Sequence, residues 1–131
     1  TIRMKTEGFK TLTTLVCDYP SYQHYFTLDH LTVFVEHIWS EQYDIQRCAL
    51  CLLVLSCANT TAQQNQQRAE HIAKQLHLSN DTIYYSLTNQ CHLQCILTNT
   101  HYKKREHARQ LKTLLKYIQP YLKYPEHFLD V

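Results

Sequence analysis

Apolar residues along this chain recur at helical intervals. Phe9, Leu12 and Val16 fall on one face of a helix, which Tyr19-Pro20 brings to an end. Residues 19–26, YPSYQHYF, read as an aromatic loop. Thr27 is placed to cap a second helix, in which Leu31, Phe34, Val35 and Ile38 keep the i, i+3, i+4, i+7 pattern and Trp39 covers the end. Asp44 is placed to cap a third, IQRCALCLLVLSCA, which is apolar nearly all round and so belongs in the centre of the fold. The polar stretch 59–67, NTTAQQNQQ, predicts a loop. Ala69, Ile72, Ala73 and Leu76 form the inner stripe of a fourth helix. Ser79 is a cap candidate for a fifth, with Ile83 and Leu87 facing inward. Residues 91–102, CHLQCILTNTHY, are compatible with more helix or with a short strand. A last helix over 103–119 sets His107, Leu111, Leu114, Leu115 and Ile118 against Lys104, Arg105, Arg109, Lys112 and Lys116, and Pro120 stops it.

Composition narrows the fold class. The chain has 131 residues, 44% hydrophobic and 18% charged, with a single glycine, Gly8. Sandwiches, barrels and glycine-rich nucleotide loops need glycine for positive φ or close backbone approach, so they are excluded. The longest unbroken apolar run, Cys48 to Leu55, has eight residues. A membrane-spanning helix needs about 20, so no membrane insertion is expected. The expectation is a mainly α, single compact domain over residues 1–131, with five to six helices and room for a small β-hairpin near 91–104. Six cysteines invite a disulfide reading, but Cys48, Cys51 and Cys57 lie in the most apolar segment, where a thiol behaves as a small hydrophobe. A reducing cytoplasm is the expected compartment.

Charge is uneven. Residues 1–100 carry six Lys/Arg and eight Asp/Glu, whereas residues 101–131 carry seven and three. The basic end (Lys103, Lys104, Arg105, Arg109, Lys112, Lys116 and Lys123) suits phosphate, an acidic partner or plain solvation.

One segment carries a motif with a mechanism. Residues 69–87, AEHIAKQLHLSNDTIYYSL, place Ile72, Leu76, Leu78, Ile83 and Leu87 to fill the angle between two short helices, with small Ala73 where they cross. The spacing resembles the helix-turn-helix of MarR-like and GntR-like winged-helix repressors over residues 45–95. The resemblance implies a DNA-binding transcriptional regulator. Base contacts would fall on Asn80, Thr82, Tyr85, Ser86 and Asn89. Phosphate contacts would come from Ser79, Lys103, Lys104, Arg105 and Arg109, and the last helix would pair two copies as a homodimer. His77 stands where that family's turn usually has glycine, and the segment after Ser79 carries Asp81 but no Lys or Arg through residue 90. Residues 49–79 are also similar to a tellurite-resistance TerB-like helical domain. There an acidic loop suggests metal binding; here Gln63, Gln64 and Asn65 stand in its place, and neutral amides are poor ligands for a hard cation. With those replacements no metal is expected, and the alternative to the regulator is a non-enzymatic helical protein-interaction module, TerB-like or an adaptor or immunity-type protein.

Other constellations are weaker. Cys48-x-x-Cys51 and Cys91-x-x-x-Cys95 could together offer four thiolates to zinc, but buried thiols are the simpler reading. His92 adjoins Cys91, yet a nucleophile needs a base placed by the fold, not by sequence adjacency. No HExxH and no paired carboxylates appear among the nine histidines and eleven acids, so neither an enzyme nor a cofactor is expected. Tyr19, Tyr22 and Tyr25, and at the far end Tyr117, Tyr121 and Tyr124, suit either a binding patch or the rim of a small core.

Overall fold

The computed structural model describes residues 1–38, 40–58, 61–79 and 105–122, with side chains described for these except 77–79 and 105–108. Five α-helices occupy them, and no strand occurs among the described residues: α1 (Ile2–Asp18), α2 (Leu28–His37), α3 (Tyr43–Cys57), α4 (Ala62–Ser79) and α5 (Arg105–Ile118). A 3-10 turn, Pro20–Tyr25, joins α1 to α2, and a shorter one, Gln119–Tyr121, follows α5. The chain is mainly helical, as its periodicity predicts. The hairpin expected near 91–104 lies outside the described residues.

The helix ends follow local chemistry. Thr1 caps α1 through its hydroxyl, which accepts from the Met4 amide at 3.1 Å. Thr27 caps α2 as expected, within a reciprocal box: the His30 amide donates to the Thr27 hydroxyl at 3.3 Å, and the Thr27 amide donates to His30 Nδ1 at 2.9 Å. The start of α3 departs from expectation. Gln42 holds the cap position and makes no side-chain cap bond, while Asp44 sits inside the first turn. There its charge complements the helix dipole and meets Lys10 of α1 at 3.4 Å and Arg47 at 3.9 Å. The polar stretch expected as a loop to residue 67 is helical from Ala62. Thr61 supplies the cap, accepting from the Gln64 amide at 3.2 Å, and glutamine is a good helix former. At its other end α4 runs through His77 to Ser79, so the backbone at His77 is helical where the motif predicts a turn.

The core is built around α3, which packs against α1, α2, α4 and α5. Ile45, Cys48, Ala49, Leu50, Leu52, Leu53 and Cys57 are buried, which accounts for a helix that is apolar nearly all round. The predicted inner stripes face this centre with Leu31, Phe34, Val35 and Ile38 from α2, with Ala69, Ile72, Ala73 and Leu76 from α4, and with Leu111, Leu114 and Ile118 from α5, where Leu115 is partly buried and the His107 side chain lies outside the described ones. Phe9 of α1 adds an aromatic cluster, with its ring 6.3 Å from Phe34, which in turn lies 5.2 Å from Phe26, both edge to face. Between α1 and α3, Lys10 pairs with Asp44, and Cys17, further along α1, shares a groove with Arg47 and Cys48 and lies close enough to Cys51 to influence its thiol. Both steps along the chain are seven residues, so the two helices run in the same direction side by side.

Candidate functional site

The 3-10 turn arranges the most conspicuous surface. A 3-10 helix has three residues per turn, so side chains at i and i+3 eclipse one another. Tyr19, Tyr22 and Tyr25 therefore stand in one row. The first two rings meet edge to face at 6.0 Å, and the second and third are tilted against each other at 6.1 Å. All three are exposed, Tyr25 to 76%. Beside Tyr19 the row runs into an open groove of about 400 Å³ along the outer face of α1, lined by Lys10, Thr11, Thr14, Leu15, Asp18 and Tyr19.

The row is exposed but firmly anchored, and the anchor is a residue that periodicity misses. Arg68, on α4, is only 5% exposed. Its guanidinium donates to the Gln23 side-chain oxygen, to the Gln23 carbonyl at 2.9 Å, to the Phe26 carbonyl at 3.3 Å and to the Ser56 carbonyl at 2.9 Å. The Gln23 and Phe26 acceptors lie at the end of the 3-10 turn, where the Gln23 carbonyl also accepts from the Phe26 amide, and Ser56 lies in the last turn of α3, where carbonyls run out of helical donors. One fork thus closes two helix ends, an arrangement that the fixed geometry of arginine permits. Burial lowers the Arg68 pKa from its ordinary value, and the nearby Cys57 opposes that. Burial likewise pushes the Cys57 thiol up to about 11 despite the guanidinium. A second buried-side link joins α2 to α4: the Thr32 hydroxyl and His71 Nε2 lie 2.7 Å apart. The His71 pKa is lowered, first by burial and also by Lys74, while the Leu28 backbone and Asp29 pull the other way.

A basic row lies on α5. Arg109, Lys112 and Lys116 are exposed on the side opposite Leu111, Leu114 and Ile118. Of the predicted DNA contacts, Arg109 is thus exposed, Arg105 begins α5, and Ser79 is the last residue of α4, with the segment it is expected to cap outside the described residues. Asn80, Thr82, Tyr85, Ser86, Asn89, Lys103 and Lys104 lie outside the described residues. Because the apolar side of α5 is already spent on the core, two copies pairing through this helix would bring their basic sides together.

The cysteines divide by environment. Cys48 and Cys57 are buried, Cys51 is half-buried and Cys17 is exposed; all four are free thiols. Cys91 and Cys95 lie outside the described residues, and with them the four-thiolate arrangement. Among the described residues, no group of three or more His, Cys, Asp or Glu is placed to hold a metal ion, and no helix is long and apolar enough to cross a membrane. Compared with protein-family models, with curated proteins and with solved structures, the chain matches none.

Proposed function

We propose that the protein is a non-enzymatic helical interaction module that takes a protein partner on the tyrosine row and the adjoining face of α1. The row itself carries this reading. Tyrosine is enriched at interfaces because its ring buries a large area while its hydroxyl stays hydrogen-bonded. A ring held on a rigid support loses little further freedom on binding. Here Arg68 provides that support from inside the fold. The test is a double substitution, Tyr22→Ser with Tyr25→Ser, at exposed positions. A partner is first captured and identified with the unaltered chain, then purified and titrated. The reading expects affinity to fall at least about tenfold, on the scale of loss at interface anchors, with the helical circular dichroism unchanged. Equal affinity for both chains overturns it.

A second reading, the duplex-DNA regulator, is favoured by the exposed row Arg109, Lys112 and Lys116, which continues the basic run Lys103, Lys104 and Arg105. It expects affinity for duplex that falls with salt, with a log–log slope of about −0.9 per phosphate contact. Replacing Lys103, Lys104, Arg105 and Arg109 with alanine should flatten that slope. Absence of duplex binding at about 50 mM salt ends this reading.

A further inference from the structure

The seam between α1 and α3 holds two thiols that neither the core nor the tyrosine surface requires. Lys10 and Asp44 are paired at one point of the seam, and Cys17 and Cys51 meet two helical turns further along both chains. Between them a groove of about 360 Å³ opens to solvent. Its walls come from Thr13, Thr14 and Cys17 on α1 and from Arg47 and Cys48 on α3, the residues that a parallel side-by-side packing brings together. Cys17 is exposed and lines this groove, and Cys51, one helical turn beyond the groove's Cys48, is half-buried.

We propose that Cys17 and Cys51 form an oxidisable dithiol, in which a low-molecular-weight disulfide such as oxidised glutathione enters at Cys17 and is resolved by Cys51, tying α1 to α3. The Cys17 thiolate attacks one sulfur of oxidised glutathione. A Cys17–glutathione disulfide forms and one glutathione thiolate leaves. The Cys51 thiol loses its proton to solvent and its thiolate attacks the Cys17 sulfur. The Cys17–Cys51 bond forms and the second glutathione thiolate leaves and is protonated. The two protein thiols give up two electrons, and oxidised glutathione receives them.

The order of attack follows from the surroundings. Burial pushes the Cys51 thiol up to about 12, and the adjacent Cys17 and Cys48 add to this, while Arg47 pulls it down. Cys51 is therefore a poor first nucleophile, whereas Cys17 is open to the reagent. Once Cys17 carries glutathione it can no longer raise the Cys51 thiol by charge, and the Arg47 influence remains. Cys48 lies in the same groove, but it is buried, one turn from the meeting point.

The experiment equilibrates the folded full chain with glutathione buffers of increasing oxidised fraction, alkylates the remaining thiols and maps peptides without reduction. The expected product is a peptide pair joined through Cys17 and Cys51 that dithiothreitol separates. Cys51→Ala should accumulate glutathione on Cys17, and Cys17→Ser should yield no joined pair. Closing this loop should also lower the unfolding equilibrium constant of the oxidised chain several hundred-fold, by the loop-closure entropy of roughly 34 residues. The proposal is overturned if both thiols stay free in the most oxidised buffer while the chain remains folded. It is equally overturned if Cys17 pairs with a different cysteine. Should Cys51→Ala fail to fold, Cys17→Ser decides alone, since that side chain is exposed.

Discussion

Two interior regions of this molecule are both buried and are held by opposite means. Along α3, the side chains of Leu50, Leu52 and Leu53 have no exposure and touch other apolar groups. Their burial is favoured by area removed from water, which has no preferred direction. At the Arg68 corner, a charged group is almost as inaccessible, yet it is held by four acceptors contributed by residues 23, 26 and 56. Directional bonds to carbonyls offset the loss of hydration only while every donor keeps its aim. The apolar spine should therefore tolerate changes of shape that the polar corner does not.

The largest loss is expected for Arg68→Ala. It orphans carbonyls at two helix ends and should cost about 4 kcal/mol in urea unfolding, the scale for removing one partner from a buried charged network. Arg68→Lys should recover only part of this, because a point charge cannot reproduce the fork. A cost below about 1 kcal/mol for Arg68→Ala would show that the corner is held by packing alone. Next, Leu53→Ala should cost about 3 kcal/mol as a cavity, whereas Leu53→Met should cost less than about 1.5. Equal losses for the two would mean that the spine is as shape-sensitive as the corner. A smaller effect belongs to the chain's surface: Thr27→Ala removes the α2 cap and should cost about 1 kcal/mol, read from the same denaturant midpoint.

The smallest effect is a pH dependence. The His71 pKa is lowered in the folded protein from an ordinary value of 6.5, with burial as the largest cause. As pH falls through that ordinary value, the unfolded chain takes up a proton before the folded one does. Unfolding is therefore favoured, and stability declines toward acid. His71→Gln should make the denaturant midpoint less sensitive to pH between about 7 and 5. An unchanged pH slope would remove His71 from the account of the α2–α4 contact.

Legibility in the sequence follows the same division. The inner stripes of α2 and α4, and the central place of α3, were readable because apolar burial imposes a period on neighbouring residues. The Thr27 cap was readable because it acts over three residues. Asp44 was misplaced as a cap because the same residue also suits the first turn, and only Lys10 on another helix fixes its partner. The loop expected at 59–67 shortened because Thr61 caps earlier than polarity suggests. Of the candidate surface, the three tyrosines were visible as a cluster, but their alignment depends on a 3-10 geometry that composition does not announce.

Residue spacing alone thus specifies a helical chain, which helix is central and which faces turn inward, since one-dimensional spacing encodes non-directional burial. That Arg68 bonds Gln23, 45 positions away, and that Cys17 comes close to Cys51 follows from the folded arrangement. Such contacts depend on where folded elements cross, and no local pattern records that crossing.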